Sequence, residues 1–492
     1  MNLSKSRYCR GLQCKKMLWL EKNKPDKKEE INNDSILEQG NMVHEVARYL
    51  FGEHINIEYT QSLSEMVKDT YRTIESYKDV IITEASFTYQ NNFCSVDILK
   101  KHNDEYEIYE VKSSTELKDV YINDASYQYY VLTNLGFKVT KCSIVIINNK
   151  YVRHGNIELD KLFIKEDITK NVINLQYTVE ENINDINKYM DNELEQNKDI
   201  DINCFNPYPC PFFKYCSKHL PKDNVFNIQG MRKSSMFNLY HDGIYSYKDL
   251  LSSDINDKYK QQIEYELYDK EDYINKDKIK EFLDTLTYPL YYLDFETYQM
   301  PIPLYDDASP YEQIPFQYSL HYIEKENGKL EHSEFLAEAG IDPRRSLAES
   351  LVRDIPKDVC TLAYNMSFEK GVIKRLANLY PDLSEHLLNI HDNIKDLMVP
   401  FRNRDYYTKN MHGSYSIKYV LPALFPNDKE LDYHNLDLIH NGSEAMNSFK
   451  NLINLSKEEQ EYVRDRLLKY CYLDTYAMVK IHNKLIEVVY KK

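Results

Sequence analysis

Strand-like and helix-like runs alternate along this chain in two separate blocks, and no other feature restricts its architecture so strongly. The first block reads helix, three strands, helix, strand. Its first helix carries Ile36, Leu37, Val43, Val46, Ala47 and Leu50 on one side, with Ser35 as the candidate N-cap. The strands are VIITEASFTY, NFCSVDIL and YEIYEVK. A helix then runs through ELKDVYINDASYQYYVLTNL to Gly136, and the strand KVTKCSIVIIN closes the block. The second block begins near residue 286 with the strands YPLYYLDFE, FQYSLHYIE and HSEFLA. A helix from Pro343, the strand VCTLAYN and a helix from Ser367 follow. A last helix opens at the capping-box pattern Ser456-Lys457-Glu458-Glu459. Alternation of this kind packs as α/β layers. Between the blocks, MFNLYHDGIYSYKDLL reads as two short helices around Gly243. The expected division is 1–222, a helical spacer at 223–285 and 286–492, with a helix-hairpin-helix phosphate grip as the alternative for the spacer.

A chain of 492 residues is long enough for two or three cores, and 42% hydrophobic against 28% charged residues is a globular balance. The formal charge of −16 excludes a protein that coats nucleic acid by charge alone, but not an enzyme with local basic grooves. No apolar run approaches the roughly 20 residues of a membrane span. The segment MNLSKSRYCRGLQCKK lacks the apolar core of a signal peptide. The expectation is a cytoplasmic protein with no membrane partner, in which nine cysteines do not form disulfides. Cys94, Cys142, Cys360 and Cys471 sit in apolar patterns and read as core residues.

In YEIYEVKSS, alternation puts Glu110 and Lys112 on one face of a strand and Tyr109 and Val111 on the other. Asp97 ends the preceding strand, and His44 lies on the helix before it. Such acids hold a divalent metal, and a neighbouring lysine orients the nucleophile or stabilises charge on the phosphorane. E-x-K by itself is equally an exposed ion pair; the order His, Asp, Glu, Lys in this frame is what distinguishes it. That order resembles the PD-(D/E)XK nucleases, the RecB-like exonucleases in particular. The resemblance implies metal ligation by His44, Asp97 and Glu110, catalysis by Lys112, and Gln128 in the place of the RecB-like helix glutamine. Leu132 stands where those proteins carry a tyrosine.

CFNPYPCPFFKYC places five residues between Cys204 and Cys210 and five more before Cys216, among prolines and aromatics that favour a loop. Three thiols suggest zinc lacking a fourth ligand. Cys14, in GLQCKKMLWL, can supply it, with Cys9 as a competitor. One N-terminal cysteine and three after the nuclease core resemble the iron–sulfur staple of RecB-like nucleases. This implies a [4Fe-4S] cluster at Cys14, Cys204, Cys210 and Cys216; Zn2+ at the same four thiolates is the alternative.

Asp294 and Glu296 leave YYLDFET on one face. Asn365 and Glu369 stand at a strand-to-helix junction in AYNMSFEKGVIKRL, and Tyr470 and Asp474 lie one turn apart in LLKYCYLDTYAMV. Four acids suit two divalent ions about 4 Å apart, and an all-oxygen set suits Mg2+ or Mn2+. These motifs resemble the DEDD exonucleases of the ribonuclease H-like fold, in the subclass with tyrosine four residues before the last acid. Metal ligation by Asp294, Glu296, Glu369 and Asp474 is implied, with Tyr470 placing the attacking water. The family's third acid is Asp in an F-D pair, whereas this chain has Phe368-Glu369; Asp396 in NIKDLMVPF is the substitute candidate. GSYSIKYVLPALFP resembles the helix between the second and third exonuclease motifs.

Together the motifs resemble a bacterial family that carries a domain of unknown function with a DEDD-type core. The implied fold is α/β: an N-terminal PD-(D/E)XK restriction-endonuclease-like domain, a helical spacer and a C-terminal ribonuclease H-like domain. The implied function is metal-dependent hydrolysis of DNA phosphodiester bonds, as an exonuclease on single-stranded or frayed ends through two active sites. Alternatives are an RNA-directed exonuclease, or a nucleic-acid-binding protein with one degenerate nuclease domain.

Overall fold

The computed structural model describes residues 3–30, 34–60 and 62–490. The protein is mixed α/β, and its contacts gather into two compact units: Met1–Pro221 with Met300–Tyr311, and Lys222–Gln299 with Glu312–Lys492.

In the first unit, β1 (Leu3–Ser4), α1 (Lys5–Gln13) and α2 (Lys15–Asn23) precede α3 (Asp34–Ala47), β2 (Ile55–Asn56) and α4 (Leu63–Ser76). The centre is an antiparallel meander of β3 (Asp79–Tyr89), β4 (Asn92–His102) and β5 (Glu105–Val111). From there α5 (Asp119–Asn134) crosses to β6 (Lys138–Ile147), which runs parallel to β5. The short α6 (Leu159–Leu162), β7 (Phe163–Asp167), α7 (Thr169–Asn174), α8 (Gln176–Met190) and α9 (Phe213–Cys216) complete it. The seven-stranded sheet has the order β2-β3-β4-β5-β6-β7, with β1 parallel to β4. Both faces are covered, which is why its strands read as nearly continuous apolar runs. Cys94, Val96 and Ile108 pack under Ala125 and Tyr127 of α5, while Ile98, Tyr109 and Val111 pack with Val43 and Ala47 of α3.

Two sequence expectations shift. Ile36 and Leu37 are each 63% exposed, and the inward face of α3 lies in its second half, with Met42, Val43, Val46 and Ala47, followed by Leu50. The side chain of Ser35 lies outside the described ones. Helix α5 starts at Asp119 rather than Glu116 because Lys118 is extended, and it ends where Gly136 adopts a φ of 91°.

In the second unit, α10 (Lys233–His241), α11 (Tyr247–Leu251) and α12 (Asp257–Tyr268) share a small core of Val225, Met236, Leu250 and Ile263. The helical segment expected as a spacer thus belongs to this unit. There follow β8 (Tyr273–Ile274), α13 (Lys276–Leu283), β9 (Leu290–Tyr298), β10 (Ile314–Ile323), β11 (Leu330–Leu336), α14 (Arg344–Asp354) and β12 (Cys360–Ala363). Next come α15 (Ser367–Leu379), α16 (Pro381–Asp392), β13 (Ile394–Asp396), α17 (Val399–Arg402) and β14 (Tyr406–Tyr407). The unit ends with α18 (Ile417–Leu424), α19 (Gly442–Asn451) and the 34-residue α20 (Lys457–Tyr490). Its five-stranded sheet has the order β11-β10-β9-β12-β13, antiparallel through β9 and parallel beyond. Strand alternation sends Leu293 and Phe295 to the face with Leu351 and Ile373, and Tyr292 to the face with Ala477 and Ile481 of α20. No helix among the described residues is long and apolar enough to cross a membrane.

Candidate metal centres

The face of β9 that packs against α20 also carries Asp294 and Glu296, two and four residues after Tyr292. Asp474, one helical turn after Tyr470, meets them there. Asp294, Glu296 and Asp474 each offer an oxygen within 4.8 Å of the others. Glu369, in the first turn of α15, is 2% exposed; its Oε2 has no hydrogen-bond partner, and its charge acts on Asp294. Among the described residues, none of the four carboxylates is in an ion pair. Lys418 acts on Glu296 and Asp474 only from beyond that range.

The electrostatic result is what Coulomb repulsion in a poorly solvated site requires. Burial, then the charges of Asp474, Glu296 and Glu369, pushes Asp294 well above the usual carboxylate range. Burial and Asp474 do the same to Glu296. Burial pushes Glu369 up to about 8 and Asp474 up to about 7, the latter despite a Tyr433 hydroxyl that donates to its Oδ1 at 2.6 Å. Burial, with Asp474 beside it, also raises the Tyr470 hydroxyl far enough to keep it protonated. A cavity of about 510 Å³ opens beside Tyr470 and Asp474, lined further by Lys418, Tyr433 and His440. Another of about 560 Å³ opens beside Glu296, lined by Lys418, Phe368, Asn441 and Ser443.

Asp396 serves the fold instead of standing free. Its Oδ1 accepts from the backbone N–H of Asn365 at 3.0 Å and of Met398 at 3.1 Å, and its Oδ2 from Arg402 at 3.4 Å. These bonds hold the junction where Asn365 takes a φ of 73° and the chain turns into α15, presenting Glu369. A second brace sits under Asp474. Thr475 bonds Ser319, the cross-strand partner of Asp294, and His321, each at 2.7 Å.

Residues 291–416, which hold Asp294, Glu296 and Glu369 but stop short of Asp474, match a family model described as Domain of unknown function (DUF2779). No curated protein and no solved structure matches the chain.

The first unit gathers a different set. The pairs Thr83–Ile98, Ala85–Val96 and Ile98–Tyr109 bracket Glu84, Asp97 and Glu110 on three neighbouring strands. His44, Glu84 and Asp97 offer ligand atoms within 4.8 Å of one another. Glu84 escaped the sequence reading; a carboxylate inside the apolar VIITEASF, between buried Thr83 and Ala85, was the available signal. It adopts a φ of 58°, a costly conformation for a side chain of this kind within a strand.

Glu110 is otherwise engaged. Its Oε1 accepts from Lys5 at 2.8 Å and Lys112 at 2.6 Å; its Oε2 accepts from Gln128 at 2.7 Å and Lys5 at 3.1 Å. Lys5 also reaches Asp97 Oδ1 at 3.2 Å, and Lys112 reaches Asp124 Oδ2 at 2.7 Å. Asp97 Oδ2 takes the Val111 N–H at 2.7 Å, with His44 at 3.9 Å. Burial works against ionisation of Asp97, but Lys5, His44 and Lys112 hold it below the ordinary range. Glu110 is held down in the same way, by Lys112 and Lys5 against burial and the charge of Asp97. Burial and Asp97 push Glu84 up, and burial and Glu110 push Asp124 up. Lys5 and Asp124 were also missed. Asp124 lies one turn before Gln128, but nothing in the spacing of LSKSRY ties Lys5 to acids about 90 residues later.

The cysteines separate clearly. Cys14, Cys204, Cys210 and Cys216 line one cavity with Lys16, Met17 and Phe212. Cys9 instead feels the charges of Asp124 and Lys112. Gln13 Nε2 donates to the carbonyls of Asn203 at 2.7 Å and Tyr208 at 2.6 Å, tying the start of the unit to its cysteine loop. Burial pushes Cys204 up to about 11 and Cys210 up to about 12. Among the described residues, no three of these thiols lie mutually within 4.8 Å.

Proposed function

We propose that the chain is a metal-dependent nuclease with two active sites. The first unit would be a RecB-like PD-(D/E)XK domain and the second a ribonuclease H-like DEDD exonuclease, acting on single-stranded or frayed DNA ends. One observation carries the reading: half-buried Asp294 and Asp474 meet buried Glu296 within 4.8 Å, buried Glu369 acts on Asp294, and among the described residues none of the four is in an ion pair. Four carboxylates whose ionisation the site opposes would be held in the charged form by two divalent cations, and the unpartnered Oε2 of Glu369 leaves a donor free for one of them. The all-oxygen set suits Mg2+ or Mn2+.

Bound there, the ions supply Lewis-acid stabilisation of phosphate charge and lower the pKa of the attacking water. The chain's own residues do the rest. Tyr470, kept protonated, orients that water by a hydrogen bond and does not take its proton. Lys418 lines both cavities, where an ammonium meets a phosphate, and each cavity is of a size that admits a nucleotide-sized group. In the first unit, Lys112 directs its ammonium between Glu110 and Asp124 and supplies positive charge to the phosphate.

The four thiols that line one cavity would hold a [4Fe-4S] cluster, with Zn2+ at the same thiolates as the alternative. A [4Fe-4S] cluster would cross-link the α1–α2 junction to the loop after α8.

The test is cleavage of end-labelled single strands of DNA and matched RNA in Mg2+ or Mn2+. Asp294→Ala is expected to abolish one activity and Lys112→Ala another. Neither substitution altering cleavage of either polymer would sink the proposal.

A further inference from the structure

Glu110 raises a difficulty for the nuclease reading, on which this inference rests. A carboxylate meant for a metal has both oxygens filled by nitrogen donors, two of them from Lys5. Lys5 is placed there by construction. Strand β1 pairs Leu3 with Asn91 and Asn92, the Tyr127 hydroxyl bonds the Leu3 carbonyl at 2.7 Å, and Ser4 caps α1 so that Lys5 is its first residue. Its ammonium then lies between Asp97 Oδ1 and the Glu110 carboxylate. An ion bridging those two acids would need that position.

We propose that Lys5 is a built-in cation that takes the place of a second metal ion. The first unit then binds one divalent ion, through His44, Glu84 and Asp97, while Glu110 is a positioning residue held by Lys5, Lys112 and Gln128. Charge supports this. Glu84, Asp97, Glu110 and Asp124 face Lys5 and Lys112, and Arg48 stands 3.6 Å from Glu84, so four acids against three cations leave a single negative charge, too little to call for two divalent ions.

The experiment uses the full chain carrying Asp294→Asn and Asp474→Asn, titrated with Mn2+ while free Mn2+ is read by electron paramagnetic resonance. One Mn2+ per chain is expected with lysine or with Lys5→Arg at position 5, and two with Lys5→Met; adding Asp97→Asn should remove them. Cleavage by Lys5→Met should fall about 10²-fold at low Mn2+ and recover as Mn2+ is raised. Circular dichroism checks that each variant is folded, and Lys5→Arg keeps the test open if Lys5→Met is not. Loss of folding in Lys5→Met would count for the proposal only with one Mn2+ and near-full cleavage in Lys5→Arg, and otherwise against it. A folded Lys5→Met holding one Mn2+ at unchanged affinity overturns the proposal and leaves the nuclease reading standing. No Mn2+ in any variant, with cleavage indifferent to Lys112→Ala, overturns both.

Discussion

Replacing Asp294 by Asn should stabilise the metal-free protein while destroying the second metal centre. The four acids of that centre are raised, so the native state binds more protons than the unfolded chain, and stability must fall as pH rises. The loss begins near pH 4, where unfolded carboxyls ionise, and is complete once pH passes about 7 for Asp474 and about 8 for Glu369. At about 1.4 kcal/mol per pH unit, those displacements set a ceiling on the order of 4–5 kcal/mol for each group. The two are not additive, because carboxylates gathered in one site titrate together. Asp294 contributes to the shared repulsion from the middle of the set, so its removal should return about 1–3 kcal/mol at pH 8.5. For a unit of this size that is a Tm increase of roughly 2–4 °C per kcal/mol. The assay is thermal unfolding from pH 5 to 9, in chelator and in Mg2+. Wild type should lose stability with pH in chelator and regain it in Mg2+. Asp294→Asn should show a shallower loss and little response to Mg2+. A variant no more stable than wild type in chelator at pH 8.5, or one that Mg2+ stabilises equally, would refute the repulsion argument.

Two other substitutions probe single groups. Tyr470→Phe should lower kcat of the Asp294-dependent activity by about 10²-fold, on the scale of one lost positioned hydrogen-bond donor, with the Mg2+-induced Tm shift retained; loss of that shift would make the tyrosine a ligand support. Cys14→Ser should remove visible absorbance and iron from anaerobically purified protein and lower its Tm, whereas Cys9→Ser should leave the colour. A colourless wild-type protein with stoichiometric zinc would defeat the cluster.

The acids were legible because each sits in a local pattern that physics makes audible. Asp294 and Glu296 interrupt an apolar strand with period two, and Tyr470 and Asp474 repeat at one helical turn. The α/β layering was legible for the same reason, with boundaries off by a few residues where Lys118 keeps an extended backbone. Three partners were not legible. Lys5, Glu84 and Asp124 join the first site through strand register and a crossover helix, which no local period records. The choice of Cys14 over Cys9 likewise depends on which side of α1 faces the loop after α8. Asp396 misled in the opposite direction: a conspicuous acid at a strand end turned out to cap a turn with two backbone N–H bonds.

What separates the two centres is the cations the chain places against the acids, since each gathers four carboxylates. In the second unit none of the four has an ion-pair partner among the described residues, and burial raises Asp474 to about 7 and Glu369 to about 8. In the first, Lys5 and Lys112 pin Asp97 and Glu110 below the ordinary range, and Arg48 stands 3.6 Å from Glu84. If both units hydrolyse phosphodiester bonds, as proposed, the reaction calls for different metal stoichiometry in each. A site that must recruit both cations should be silenced by chelation more readily than one that carries a cation in its own sequence. Metal titration of the Asp294-dependent and Lys112-dependent activities should accordingly give a steeper Mg2+ dependence for the former, and equal steepness would mean that Lys5 does not substitute for an ion.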